Sequence, residues 1–130
     1  MASSDIISVR LAFPTVAAGT DEERGCVHGM AGEWRLTAAK LQPCTTTAVD
    51  ASNYTVLSVK AGLGGTSLGT LSTETTVGAA LTAGTVSEVT LSGGTALEFG
   101  ADDPIYVEKD DSGTGAAADG EWTFILQQVR

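Results

Sequence analysis

Few side chains in this sequence can do chemistry, and they are spread thinly. The only histidine, His28, follows Cys26 by two residues, and with Cys44 these form a possible three-ligand set. On a strand, residues i and i+2 share a face, so Cys26 and His28 could approach one ion. The ligand spacings that mark zinc sites are absent. A partly exposed strand histidine and two small apolar thiols are the preferred reading, with no metal and no cofactor expected. The cysteines could pair in an oxidising space, and a chain made in a reducing one would keep them as thiols.

Other chemistries fare no better. Ser and Asp residues are present, but no serine sits in a nucleophile-elbow pattern. "GLGGTSLG" has Ser67 where the dinucleotide pattern started at Gly62 needs glycine, and no lysine follows as in a P-loop, so it reads as a hairpin or surface loop. The acidic pairs Glu22-Glu23, Asp102-Asp103 and Asp110-Asp111 would need to converge in space to bind calcium or act as acid and base. They read as solvated turns. Trp34, Tyr54, Tyr106 and Trp122 could build a sugar-stacking platform, but each falls in an expected strand and reads first as core. Asn53-Tyr54-Thr55 is a formal glycosylation sequon, relevant only to a chain secreted by a eukaryote. No enzyme is expected.

The elements that must position these residues are all β. Thr and Val favour strands, the 16 glycines supply turns, and no window keeps a 3.6-residue period. Ile6 to Phe13 is expected as the first strand, closed by Pro14, after which "TVAAGTDEERG" leaves the sheet. "CVHGMAGEWRLTAAKLQPC" suggests two short strands around Met30 to Gly32, the second from Glu33 to Leu41 with Trp34, Leu36 and Ala38 on one face. Tyr54 to Ala61 is the clearest strand, with Leu57 and Val59 on one side and Tyr54 and Val56 on the other, both sides covered. Further strands are expected at Ser67 to Thr73, Val86 to Leu91 with a bulge, and Ile105 to Lys109, followed by a connection over Asp110 to Gly115. "EWTFILQQV" closes the fold with Trp122, Phe124 and Leu126 alternating against Thr123, Ile125 and Gln127. About eight short antiparallel strands with frequent turns predict a single-domain β-sandwich or jelly roll.

Composition sets further bounds. A chain of 130 residues is long enough for one domain to fold alone. Its formal net charge of −9, with seven scattered cations, offers no footprint for a phosphate backbone, so nucleic acid is not an expected partner. No stretch has the roughly 20 apolar residues needed to span a bilayer, and Met1 to Leu11 lacks the pattern of a signal peptide. A soluble product of the cytoplasm, without membrane contact, is expected. Aromatics make up only 5% of the chain, so the core should be thin and supplemented by neighbouring subunits.

The order of segments resembles the small decoration (cement, or head-stabilising) proteins of tailed bacteriophages. The resemblance runs from about Gly32 to Val129 and rests on "TTTAVDASNYTVLSV", "GTSLGTLST", "LTAGTVSEVTLS", "FGADDPIYVEKDDSGTG" and the closing "WTFILQQV". The upstream "DEERGCVHGMAGEW" departs from it. The resemblance implies a non-enzymatic virion protein on the outer capsid surface, made in the bacterial cytoplasm. It would act as a homotrimer that bridges subunits of the major capsid protein. A carbohydrate- or receptor-binding module of a head fibre, spike or tail is the alternative. On this reading residues 1–13 form an arm or first strand and residues 14–130 the sandwich. Within Ser3 to Phe13, the apolar Ile6, Ile7, Val9, Leu11 and Phe13 are the expected capsid or subunit contact, because they lie near a terminus that would otherwise fray.

Overall fold

The computed structural model describes residues 5–62 and 64–130, so Ser3 and Ser4 of the expected contact segment lie outside the described residues. Among the described residues the chain forms nine strands: β1 (Ile6–Val16), β2 (Glu22–Cys26), β3 (Trp34–Gln42), β4 (Tyr54–Ala61), β5 (Thr66–Ser72), β6 (Ser87–Glu88), β7 (Glu98–Phe99), β8 (Ile105–Ser112) and β9 (Ala118–Gln128). A 3-10 turn, Gly94–Leu97, precedes β7. One sheet has the order β1-β9-β3-β6, with β7 also on β3, and the other the order β2-β8-β4-β5. Every strand pair is antiparallel. The first strand thus pairs with the last in one sheet and the second with the eighth in the other. That winding is a jelly roll, a two-sheet sandwich.

The core forms where the inner faces meet. Trp122, Phe124 and Leu126 of β9 are fully buried, as their alternation predicts, and face Leu57 and Val59 of β4 and Ile105 and Val107 of β8 across the sandwich. β4 lies inside its sheet with Leu57 and Val59 inward, and Tyr54 and Val56 half-buried on the other side.

Several expectations need correction. β1 runs on past Pro14 to Val16, with a register shift between Phe13 and Val16, and the segment expected to leave the sheet supplies β2. On β3 a bulge between Leu36 and Ala38 turns Ala38 outward and brings Ala39 and Leu41 into the core. The Thr37 hydroxyl donates to the carbonyl of Ile125 beside that bulge. The strand expected over Val86 to Leu91 shrinks to Ser87–Glu88 because the chain is crossing between sheets. The Val89 amide donates to Ala39 of one sheet, and the Ser92 amide to Leu68 of the other.

The threonine run 45–47 is a seam of hydrogen bonds. Thr45 donates through its amide and its hydroxyl to Asp119, and Thr15 donates to the other carboxylate oxygen. Thr46 accepts from the Ala83 amide, while Thr47 exchanges backbone bonds with Leu81 and donates its hydroxyl to Ala117. Each hydroxyl finds a backbone or carboxylate partner, and Thr47, the buried one, satisfies its polar group in this way. Asp50 then accepts from the Ser52 and Asn53 amides, an Asx turn that starts β4.

Candidate functional site

The five predicted contact residues all lie on β1, the edge strand of the five-stranded sheet. Their side chains divide by alternation. Phe13 is 2% exposed, Ile7, Val9 and Leu11 are half-buried and pack on the core, and Ile6 points out at 64% exposed. The structure therefore brings Ile7, Val9, Leu11 and Phe13 into one inward row and sets Ile6 on the opposite face.

Among the described residues the backbone of β1 is half unpaired. The Gln128 amide donates to the Asp5 carbonyl, and the register continues from Ile6↔Gln127 to Phe13↔Gly120. Antiparallel ladders alternate, so the odd residues of this stretch bond to β9, and the amides and carbonyls of Ile6, Ser8, Arg10 and Ala12 point away from the sheet. An unpaired row of this kind is a template for another strand. At the opposite side of the sandwich the β5 edge is covered, since Ala79 donates to Ser72 and Ser92 to Leu68.

Across from β1 lies β2, which has five residues against eleven and so leaves part of the apolar row uncovered. Glu22, Arg24 and Cys26 pair in register with the buried Lys109, Val107 and Ile105 and share their inward face. Arg24 Nη2 lies 2.8 Å from Glu22 Oε1, while its Nε is buried without a partner among the described residues. Glu23, on the outer face, joins Glu108 around Lys60 at 3.7 and 3.0 Å. The hydrogen bond from Lys60 lowers the Glu108 carboxyl, and the same bond raises the Lys60 ammonium.

A buried charge pair straps the turn between β1 and β2. Lys109 is 0% exposed, and its Nζ lies 2.7 Å from both carboxylate oxygens of Asp111 and donates to the carbonyls of Ala17 at 3.2 Å and Thr20 at 2.9 Å. Asp111 also accepts the Gly19 amide at 2.7 Å. Burial pushes the Asp111 carboxyl up, but hydrogen bonds from Lys109, Thr55 and Gly19 outweigh it and hold the group below the usual carboxylate range. Asp119 behaves alike, with burial opposed by bonds from Thr45, Thr15 and the Cys44 amide. This strap was not anticipated from the sequence. Its signal was the alternation Ile105, Val107, Lys109, Asp111, which sets a lysine and an aspartate on a core-facing row.

The remaining candidates do not assemble a reactive centre. His28 lies in the loop after β2, with Nδ1 accepting from the Met30 amide at 3.0 Å and Nε2 2.9 Å from the Phe99 carbonyl. Those partners occupy both ring nitrogens. Cys26 is half-buried, and burial pushes its thiol up to about 11; Cys44 is exposed, and both are free. Cys44 lines an apolar groove of about 530 Å³ with Phe13, Pro14 and Gly120, at the β1–β9 irregularity. Two acidic pairs split: Glu22 faces in and Glu23 out, and Asp110 is exposed while Asp111 binds Lys109. These two pairs are strand residues rather than the expected turns, whereas Asp103 of the third accepts the Gly100 amide in a turn. Among the described residues no three His, Cys, Asp or Glu side chains cluster as metal ligands. Trp34 and Trp122 are buried, while Tyr54 and Tyr106 are half-buried on the outer face of the β2-β8-β4-β5 sheet.

The chain is similar to an endospore appendage. The solved structure, a Bacillus endospore appendage described as one of a novel family of disulfide-linked pili, is 14% identical, with a TM-score of 0.38, covering 98% of this chain and 90% of that one. No protein-family model and no curated protein matches.

Proposed function

We propose that this protein is a non-enzymatic virion structural protein that binds the outer surface of a tailed-phage capsid and stabilises it by bridging subunits. Its partners are the major capsid protein and copies of itself, as a homotrimer, and it is made in the bacterial cytoplasm and ends on the virion. The observation that carries this reading is the open β1 edge. Eleven residues of strand carry outward-pointing amides and carbonyls at Ile6, Ser8, Arg10 and Ala12, beside the half-buried row Ile7, Val9 and Leu11. A partner strand added there would gain main-chain hydrogen bonds and cover apolar surface in one step. Many copies on a shell then turn modest single contacts into firm retention.

The alternative, a sugar-binding fibre or spike module, requires aromatic rings displayed together. Both tryptophans lie in the core, which does not favour it.

Ser8→Pro tests the edge. Proline removes an amide that faces away from β9, a position where a strand tolerates it. The expected result is an unchanged fold by circular dichroism and melting, with loss of binding to expanded capsids. A folded Ser8→Pro protein that binds capsids as the parent does would refute the β1 contact.

A further inference from the structure

The charge of this chain is unevenly placed. On the outer face of the β1-β9-β3-β6 sheet, register aligns Arg10 with Thr123 and Lys40 in one cross-strand row, and Ala12 with Glu121 and Gln42 in the next. Arg35 lies further along β3 opposite Glu98, and Lys40 opposite Glu88. The face thus carries Arg10, Arg35 and Lys40 with the acids Glu88, Glu98 and Glu121, and the Arg130 guanidinium joins it by reaching Glu98 at 2.8 Å. With four cations against three acids the face is close to neutral, so the acidic excess of the chain resides elsewhere on the molecule. The opposite outer face, by contrast, sets Glu23, Glu108 and Asp110 against Lys60 alone.

The same face displays apolar side chains. Ile6 and Val86, at 64% and 54% exposed, stand on it with the half-buried Ile125 and Ala38. Val86 and Ile125 line a shallow depression of about 220 Å³ with Arg10, Lys40 and Thr123. Arg10 holds Glu121 at 2.7 Å, and Arg35 holds Glu98 at 3.6 Å, so the face shows both signs of charge around apolar side chains. An apolar centre with balanced polar surroundings is the usual anatomy of a protein interface.

We infer that this face is the contact surface for a second copy of the chain. Copies that each carry −9 repel wherever their acidic surfaces meet, and the repulsion is weakest where this nearly neutral face lies in the contact. Both signs are present on each copy, so the cations of one find the acids of the other while Ile6, Val86 and Ile125 leave water. The inference rests on the proposed function only in taking the chain to work among copies of itself. It leaves the β1 edge free for a different partner.

The test is sedimentation equilibrium of the full chain under reducing conditions, with the double variant Arg10→Glu/Lys40→Glu and the control Thr70→Glu/Ser72→Glu on the other sheet. The double variant lowers the charge of this face by four per copy, and the control adds two acids to the already acidic side. The expected result is a self-associating parent, a control that associates as well as the parent, and a double variant, folded by circular dichroism, that associates at least about tenfold more weakly. High salt should restore part of that loss. A monomeric parent, or a folded double variant that associates like the parent, overturns the inference. A capsid-binding assay on the parent protein reads attachment separately, because binding by a monomeric parent would uphold attachment to the shell and reject this face.

Discussion

Replacing Lys109 by methionine probes the strap that holds the two edge strands together. Methionine keeps most of the volume and removes the ammonium. The substitution leaves the Asp111 carboxylate, 5% exposed, without its counter-charge, and the carbonyls of Ala17 and Thr20 without a donor. Breaking a buried ion pair from one side costs about 3–5 kcal/mol. Asp111 keeps the Gly19 amide at 2.7 Å, so the lower end applies, about 3 kcal/mol. For a chain of this size that is a fall in melting temperature of roughly 10 °C. Urea unfolding with a two-state fit measures it. The double variant Lys109→Met/Asp111→Leu should lose less than the sum of its single changes, because removing both charges leaves neither one stranded in the interior. A Lys109→Met protein within about 1 kcal/mol of the parent would refute the claim that this pair fastens the β1–β2 turn.

Other predictions follow from the same geometry. The Cys26 thiol, pushed up to about 11 by burial, should resist alkylation at neutral pH while exposed Cys44 reacts, giving one adduct per native chain and two after unfolding by mass spectrometry. Two adducts formed at equal rates on the native chain would contradict this. Asp111 and Asp119 both bind protons more weakly when folded than when unfolded, so the stability they supply is present above the usual carboxylate range and is lost as pH falls through it. Melting temperature should therefore drop between about pH 5 and pH 3, and Asp119→Asn should make that drop shallower; an equal slope in the variant would count against the Asp119 network. Gly120 has φ +145°, and an added Cβ would meet the Gln42 carbonyl at 2.6 Å and Leu41 Cδ1 at 2.7 Å, so Gly120→Ala should cost at least about 2 kcal/mol in urea unfolding.

How far the fold could be read in advance depended on where each strand lies. β4 and β9 are interior strands whose inward rows are long and apolar, and their alternation was plain in Leu57 and Val59 and in Trp122, Phe124 and Leu126. β2 was hidden because it is an edge. Its inward residues Glu22 and Arg24 remain partly in water and pair with each other, so no apolar period marks the strand. The two-residue strands β6 and β7 exist through long-range pairing with β3, which no local pattern encodes. β1 was visible as an apolar stretch, but its place at the sheet edge came only from topology. The nearly neutral outer face was likewise invisible, since its charged residues come from β1, β3, β6, β7, β9 and Arg130 and meet only in the folded chain.

The central claim is attachment to a phage shell, and co-sedimentation of the purified chain with expanded, undecorated capsids tests it most directly, with unexpanded shells as control. Saturable binding to the expanded shells at a fixed ratio per capsid subunit is the predicted result. Absence of binding to either shell would contradict it.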